Sequence, residues 1–475
     1  MRTLLVLAFS LLFSGAALAA PAIDKAGADA LKPRLEQGLD VLAANFKAKG
    51  LLLERTGPLT VEPAGTYYAV TTPSLALIMP GNIKRTIGMV AVNAVPTANP
   101  DVLKVAMALP TPIIDTDGMG KAVGKTTIGS QTMNGLWNVP AMMFTQLTAN
   151  YGNVQTVGDG FKTTLPQLAV KMLLSDNGKG LYSGPSEAVA TNITHETTAK
   201  KYTISQLALK TVIEDLDIKA AQTPAKKASS ASLQDTLTDM FTRFANGNQT
   251  SFSASGISIA QLDGSGQPQT TTIKNITFNG NIGDARTSLP KMEWSGTASG
   301  FATTDASFAN FMPTTISVNG ATSGVPLAEL LAAKTQAEQA AIMAKSGGLF
   351  KLNNFSIDAP AYGLTSIGSV KSGAEGQNAS LKLVVRGLPD LLAWLGTLSS
   401  GPDAKNLPPF LPALTGILAM VQMTGKPATD IQGRPTLNYD VQMAGGKLTL
   451  NGADMTAVLG GLPQGKGATP QAAPR

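Results

Sequence analysis

The sequence predicts an α+β protein that is mostly β, with long antiparallel sheets built from repeated strand–strand–helix units and capping helices. Three observations predict it. Apolar and polar residues alternate through several stretches, the period-two pattern of half-buried strands. A few segments instead carry apolar residues three or four apart, as one helix face does. In the second half, a strand-like run, a glycine and a short apolar helix start recur in that order. They recur at Val318-Asn319-Gly320, Val385-Arg386-Gly387 and Leu450-Asn451-Gly452.

The elements follow in chain order. Met1-Arg2, the apolar run from Leu4 to Phe13 and the small residues around Ala17-Leu18-Ala19 have the form of a cleavable secretory signal over residues 1–20. The run is shorter than the roughly 20 residues a spanning helix needs, so a released, periplasmic protein is expected. Asp24 to Lys49 reads as an amphipathic helix, with Leu31, Leu35, Leu39, Leu42 and Phe46 at helical spacing and Gly50 as its stop. Ile83 to Val95 is strand-like, and Leu103, Val105, Met107 and Leu109 alternate as in a strand. Trp137 to Tyr151, around Pro140, reads as a short helix. Strands resume at Phe161, and Tyr202 to Ile218 is the clearest.

Ala220 to Ala231 is small, polar and interrupted by Pro224, which marks a linker. The expected domains are therefore 21–219 and 232–463, with a disordered tail over 464–475. Ser232 opens a capping-box-like helix start, and Leu233, Leu237, Met240, Phe241 and Phe244 share its apolar face up to Gly247. In the second domain, helix starts are expected at Val325 to Leu331, Leu388 to Leu392 and Ala453 to Leu459. Pro326 and Pro389 suit a first helical turn, where a missing N–H costs little. Phe278-Asn279-Gly280 reads as a further strand ending without a helix.

Composition excludes more than it names. The 475 residues include no Cys and one His. That removes disulfides, thiol chemistry, lipid attachment through Cys and most transition-metal sites. The net charge of +6 is scattered, and its nearest cluster is Lys226-Lys227, so nucleic acid is not an expected partner.

The near-motifs fail on inspection. His195 sits in polar Thr194-His195-Glu196, and no G-x-S-x-G supplies a nucleophile for it. Gly118 to Thr126 resembles a phosphate loop but misses the required spacing. Asp115-Thr116-Asp117-Gly118 starts like a calcium loop, yet Met119 and Thr126 occupy ligand positions, so a polar hairpin turn is expected. Ser288-Leu289-Pro290-Lys291 matches S-x-x-K, but Pro290 opposes the helical turn that motif needs. Glu214-Asp215-Leu216-Asp217 reads as the wet face of a strand. No catalytic residue, metal ligand or cofactor is expected.

What remains is apolar surface. The segments Pro389 to Leu398 and Pro408 to Met423 are rich in Leu, Met and Ala, and the second carries no charge. Leu388, Leu391, Leu392, Trp394, Leu395, Leu414, Ile417 and Met420 are the candidate lining of an apolar groove. Core packing beneath a sheet is the competing reading of the same residues. Met142-Met143, Met420 and Met423 suit adaptable apolar contact in either case.

Residues Phe252 to Pro463 resemble bacterial envelope proteins of the AsmA-like and YdgA-like families, and also an exported family of unknown function. The likeness rests on three stretches: Leu349 to Ile357, Leu381 to Leu392 and Gly446 to Gly452. It implies a long curved sheet with an apolar concave face and carries no catalytic residues over. AsmA-like proteins are usually membrane-anchored, whereas this chain is expected to lose its apolar N-terminus. The combined expectation is a soluble periplasmic, non-enzymatic protein that binds lipid or another apolar ligand in envelope maintenance. An assembly scaffold using sheet edges and a carboxylate-based hydrolase are the alternatives.

Overall fold

The computed structural model describes residues 22–48, 50–140, 143–217, 247–262, 266–284, 287, 289–326, 329–330, 333, 335–373, 376–400, 418–419 and 422–456. The chain is mostly β, its strands pair antiparallel, and it divides into two compact units, Met1–Gln267 and Pro268–Arg475.

The first unit opens with helix α1 (Lys25–Ala48). Asp24 caps it by accepting the Gly27 N–H at 2.7 Å, and Gly50 leaves it with φ 74°. Eight short strands follow: β1 (Leu52–Thr56), β2 (Thr60–Pro63), β3 (Tyr68–Thr71), β4 (Ser74–Met79), β5 (Ile83–Gly88), β6 (Ala91–Pro96), β7 (Val102–Ala108) and β8 (Ile113–Thr116). A meander of longer strands comes next: β9 (Ala122–Asn138), β10 (Met143–Gly158), β11 (Phe161–Leu173), β12 (Ser175–Asp176), β13 (Leu181–Thr197), β14 (Lys200–Asp217) and β15 (Gly247–Leu262).

Strand β9 is where the short strands join the meander. Its Asn134–Asn138 end pairs with β7, which continues through β6 and β3 to β2. Its Ala122–Thr126 end pairs with β8, which continues through β5 and β4 to β1. Side chains fill the fork. Gln131 accepts the Leu109 N–H at 2.9 Å and donates to the Leu109 carbonyl at 2.7 Å. Thr111 Oγ1 accepts the Ile128 N–H at 3.0 Å. Backbone groups that lose a ladder partner are thereby satisfied.

One expectation is corrected here. Trp137 to Tyr151 is not a helix: Trp137 lies in β9 and Tyr151 in β10, and the two strands form a hairpin in which Phe144 pairs with Trp137. Their rings meet edge to face at 4.7 Å, a cross-strand contact that a local helix would forfeit. β15 pairs with β14 from Lys200↔Gln261 to Glu214↔Gly247 and so belongs to the first unit. The linker 220–231 and the helix expected after Ser232 lie outside the described residues.

One row of residues crosses the meander. Register places Gly129, Asn153, Pro166, Asn192, Ser205 and Gly256 side by side in β9, β10, β11, β13, β14 and β15. Asn153, Asn192 and Gly256 are left-handed, with φ of 52°, 54° and 59°. The residue types fit the geometry, since Asn and Gly tolerate positive φ and Pro donates nothing to a ladder.

The second unit contains β16 (Pro268–Gly283), β17 (Lys291–Thr303), α2 (Ala306–Ala309), β18 (Thr315–Ser323), α3 (Gln336–Ser346), β19 (Leu349–Asp358), β20 (Gly363–Gly373) and β21 (Gly376–Arg386). Then come α4 (Leu388–Ser400), β22 (Lys426–Thr429), β23 (Pro435–Ala444), β24 (Lys447–Leu450) and β25 (Ala453–Asp454). β16 to β21 pair in sequence, and β23 pairs with β21, β22 and β24.

The strand–glycine–helix repeat is seen with the glycine directly between strand and helix at one place, and the helix expected over Ala453 to Leu459 runs beyond the described residues, which end at Thr456. β21 ends at Arg386, Gly387 turns with φ 64°, and α4 begins at Leu388. Gly320 instead lies inside β18, opposite Trp294, whose ring occupies the space a Cβ would need. A helical bond from the Leu330 N–H to the Pro326 carbonyl (2.9 Å) follows only after β18 has ended at Ser323. At the third place, Asn451 and Gly452 take positive φ and turn the chain into β25, which pairs back on β24. Phe278-Asn279-Gly280 is mid-strand, with Gly280 also opposite Trp294.

Candidate apolar ligand site

Helix α1 lies against the short strands of the first unit through the residues its spacing predicts. Leu31 and Leu39 are buried beside Tyr68, Leu103, Val105 and Phe144, and Leu35 packs against them. Tyr68 can approach because Gly27 has no Cβ, and its hydroxyl donates to the Ala22 carbonyl at 3.2 Å. Ion pairs hold the helix at two further points, Arg34 with Asp101 (2.6 Å) and Asp40 with Arg55 (2.7 Å).

Between helix and sheet these contacts leave a cavity of about 330 Å³. Leu35, Leu39 and Leu42 form its helix side. Ala94 of β6, Leu103, Val105 and Met107 of β7, Trp137 of β9 and Phe144 of β10 are among its sheet side. Thr72 and the Trp137 indole are its lining side chains with a hydrogen-bonding group, and no polar atom faces the space. The Thr72 hydroxyl accepts the Val90 N–H and donates to the Pro73 carbonyl, both at 2.9 Å. Leu42, 36% exposed, stands at the rim.

The size of this space decides how it must be read. Natural cores hold few voids larger than a water molecule. The volume of this one falls at the lower end of the range for ligand pockets, about 300–1,000 Å³.

The long strands carry a second apolar surface that starts at the same place. Ladder pairs put Met133, Ala149, Val170, Ala188, Leu209 and Phe252 in one row. Gln131, Tyr151, Leu168, Ala190, Leu207 and Ala254 form the adjacent row on that face. Met133 also lines the cavity, and Tyr151 donates its hydroxyl to the Met133 sulfur at 3.4 Å. Burial raises the Tyr151 pKa, as expected on a dry face. On the opposite face Lys171, Glu187 and Lys210 stand in register, with a 3.0 Å ion pair between the last two.

The candidate groove residues of the second unit pack differently. Leu388 and Leu395 are 1% and 5% exposed, and Leu391 and Leu392 pack with Leu388, Val385 and Tyr439. These four form core beneath the sheet. Trp394 alone of the described candidates borders a recess, which it shares with Phe311 and Asp390. It stacks on Phe311 at 4.5 Å, and its buried indole N–H has no hydrogen-bond partner. Leu414, Ile417 and Met420 lie outside the described residues.

Other sequence candidates have structural roles. His195 pairs with Thr163 through Nδ1 at 2.8 Å and sits half-buried between Phe161 and Tyr202. Asp115 is held by Arg85 through two bonds of 2.8 Å, and Asp117 caps the β8–β9 hairpin by accepting the Met119 and Lys121 N–H groups. That is the polar turn expected in place of a calcium loop. Glu214 is exposed in β14 beside buried Leu216. Among the described residues no group of three potential metal ligands converges, and no helix is long and apolar enough to cross a membrane.

Sequence reasoning read α1 and β7 correctly but could not see the space between them. The alternation of Leu103, Val105 and Met107 was the available signal. Comparison with protein-family models, curated protein sequences and solved structures finds no match.

Proposed function

We propose that this chain is a soluble periplasmic, non-enzymatic protein that binds lipid or another apolar ligand in envelope maintenance. The observation that carries the reading is the cavity under α1, whose facing surface is entirely apolar. A solvated polar substrate gains nothing there, whereas burying hydrocarbon gains about 25 cal/mol per Å². The apolar face of the long strands, the signal-like N-terminus and the likeness to AsmA-like envelope proteins support the same reading.

The test is to purify the full chain from its native host and examine it by native mass spectrometry and solvent extraction. The expected result is a co-purifying lipid, or uptake of one from envelope extracts. A protein that emerges empty and stays empty overturns the reading. Crosslinking that recovers one stoichiometric protein partner and no lipid replaces it with an assembly scaffold.

A further inference from the structure

Resting on that reading, we infer that the cavity under α1 takes its ligand tail first. The occupant is a single unsubstituted alkyl chain, about ten carbons deep, and the polar end stays outside at the Leu42 rim.

The chemistry of the lining carries the orientation. No polar atom of the lining faces the space, and the Thr72 hydroxyl is turned to the Val90 N–H and the Pro73 carbonyl. The lining strands β3, β6, β7, β9 and β10 are paired with one another in ladders, which occupies their backbone groups as well. A carboxyl, hydroxyl or amide carried inside would be desolvated without a partner, at a cost of several kcal/mol. The polar end must therefore stop where water is. Leu42 is the exposed lining residue, and the Asp40–Arg55 ion pair lies two positions away along α1.

Volume carries the depth. If a methylene occupies roughly the 30 Å³ share of a water molecule, the 330 Å³ space holds on the order of ten carbons. Each buried methylene contributes about fourfold in affinity until the space is full. Met107 and Met133 in the wall are adaptable side chains, which suits a chain of variable shape over a rigid ring.

The experiment uses the full chain and n-alkylphosphocholines of 6 to 16 carbons, titrated calorimetrically below their micelle concentrations. Affinity is expected to rise about fourfold per methylene and level off near ten carbons. At fixed chain length, replacing the phosphocholine head by sulfate or maltoside should change Kd by less than about threefold, since no lining group contacts the head. Ala94→Phe fills the space, so the plateau should move to shorter chains and decyl binding should weaken on the order of fiftyfold. Should that variant fold poorly, a terminally brominated dodecyl probe gives an independent readout on the unaltered protein. It should quench fluorescence, and Trp137→Phe should abolish that component.

Affinity that follows the head rather than the chain, or no quenching of Trp137, overturns tail-first binding here. The two readings fail separately. Lipid that co-purifies while no alkyl probe binds in this cavity leaves the proposed function standing and removes this site. A protein that takes up neither lipid nor probe removes both.

Discussion

At the scale of single residues, side chains with chemical potential are committed to holding strands together. Asp115 is the clearest case, because its bidentate contact with Arg85 binds β8 to β5 and raises the Arg85 pKa. Asp430 does the same in the loop between β22 and β23. It accepts the N–H groups of Gln432 and Arg434 at 2.9 Å each and meets the Arg434 guanidinium at 2.7 Å. The Arg434 backbone N–H is the largest cause holding its carboxyl below the ordinary aspartate range. Because the folded pKa is depressed, its support for the hairpin is complete above the unfolded value of about 3.9 and is lost as pH falls through the folded value. Carbon-detected NMR titration should show Asp430 ionising below the ordinary aspartate range, and Arg434→Ala should move it only part of the way back, since the backbone N–H at 434 remains. An unchanged midpoint in that variant would show that the guanidinium does not contribute.

At the scale of elements, the row from Gly129 to Gly256 is the feature that no single strand reveals. Each residue is unremarkable alone, yet register brings a proline, two left-handed asparagines and a left-handed glycine into one line. Gly256 is the most constrained, since a Cβ there would collide with Ser205 Oγ as well as adopt φ 59°. Gly256→Val should cost about 1–2 kcal/mol from the backbone alone, and more from the collision. Chemical denaturation would measure it. A loss below about half a kcal/mol would mean the row relaxes without strain. Helix α3 shows the opposite case, an element legible in its own residues. Thr335 and Glu338 form a reciprocal capping box, and Gly347 closes the helix in the left-handed conformation.

At the scale of the whole molecule, ligand occupancy should appear as selective stability. A ligand that binds only the folded first unit at one hundred times its Kd stabilises it by about 2.7 kcal/mol. Hydrogen exchange of the full chain with decylphosphocholine should therefore slow in α1, β6 and β7 while leaving β19 to β23 unchanged. Uniform protection of both units would indicate binding elsewhere. β15 belongs to the first unit because it adds to β14.

The sequence by itself determined the mostly β class of the protein and a few of its elements. Alternation marks β7 and β14, spacing marks α1, and the absence of Cys leaves no thiol chemistry. It misread the Trp137–Tyr151 hairpin and the strand ending at Gly320, since Gly320 answers to a Trp294 contact outside its own window. Tertiary structure alone decided that Leu388 and Leu395 fill a core and that Leu39, Ala94 and Trp137 surround a space. The physical reason is the range of the interactions. Helix spacing and strand alternation are properties of adjacent residues, whereas filled and empty volume depends on how distant elements pack.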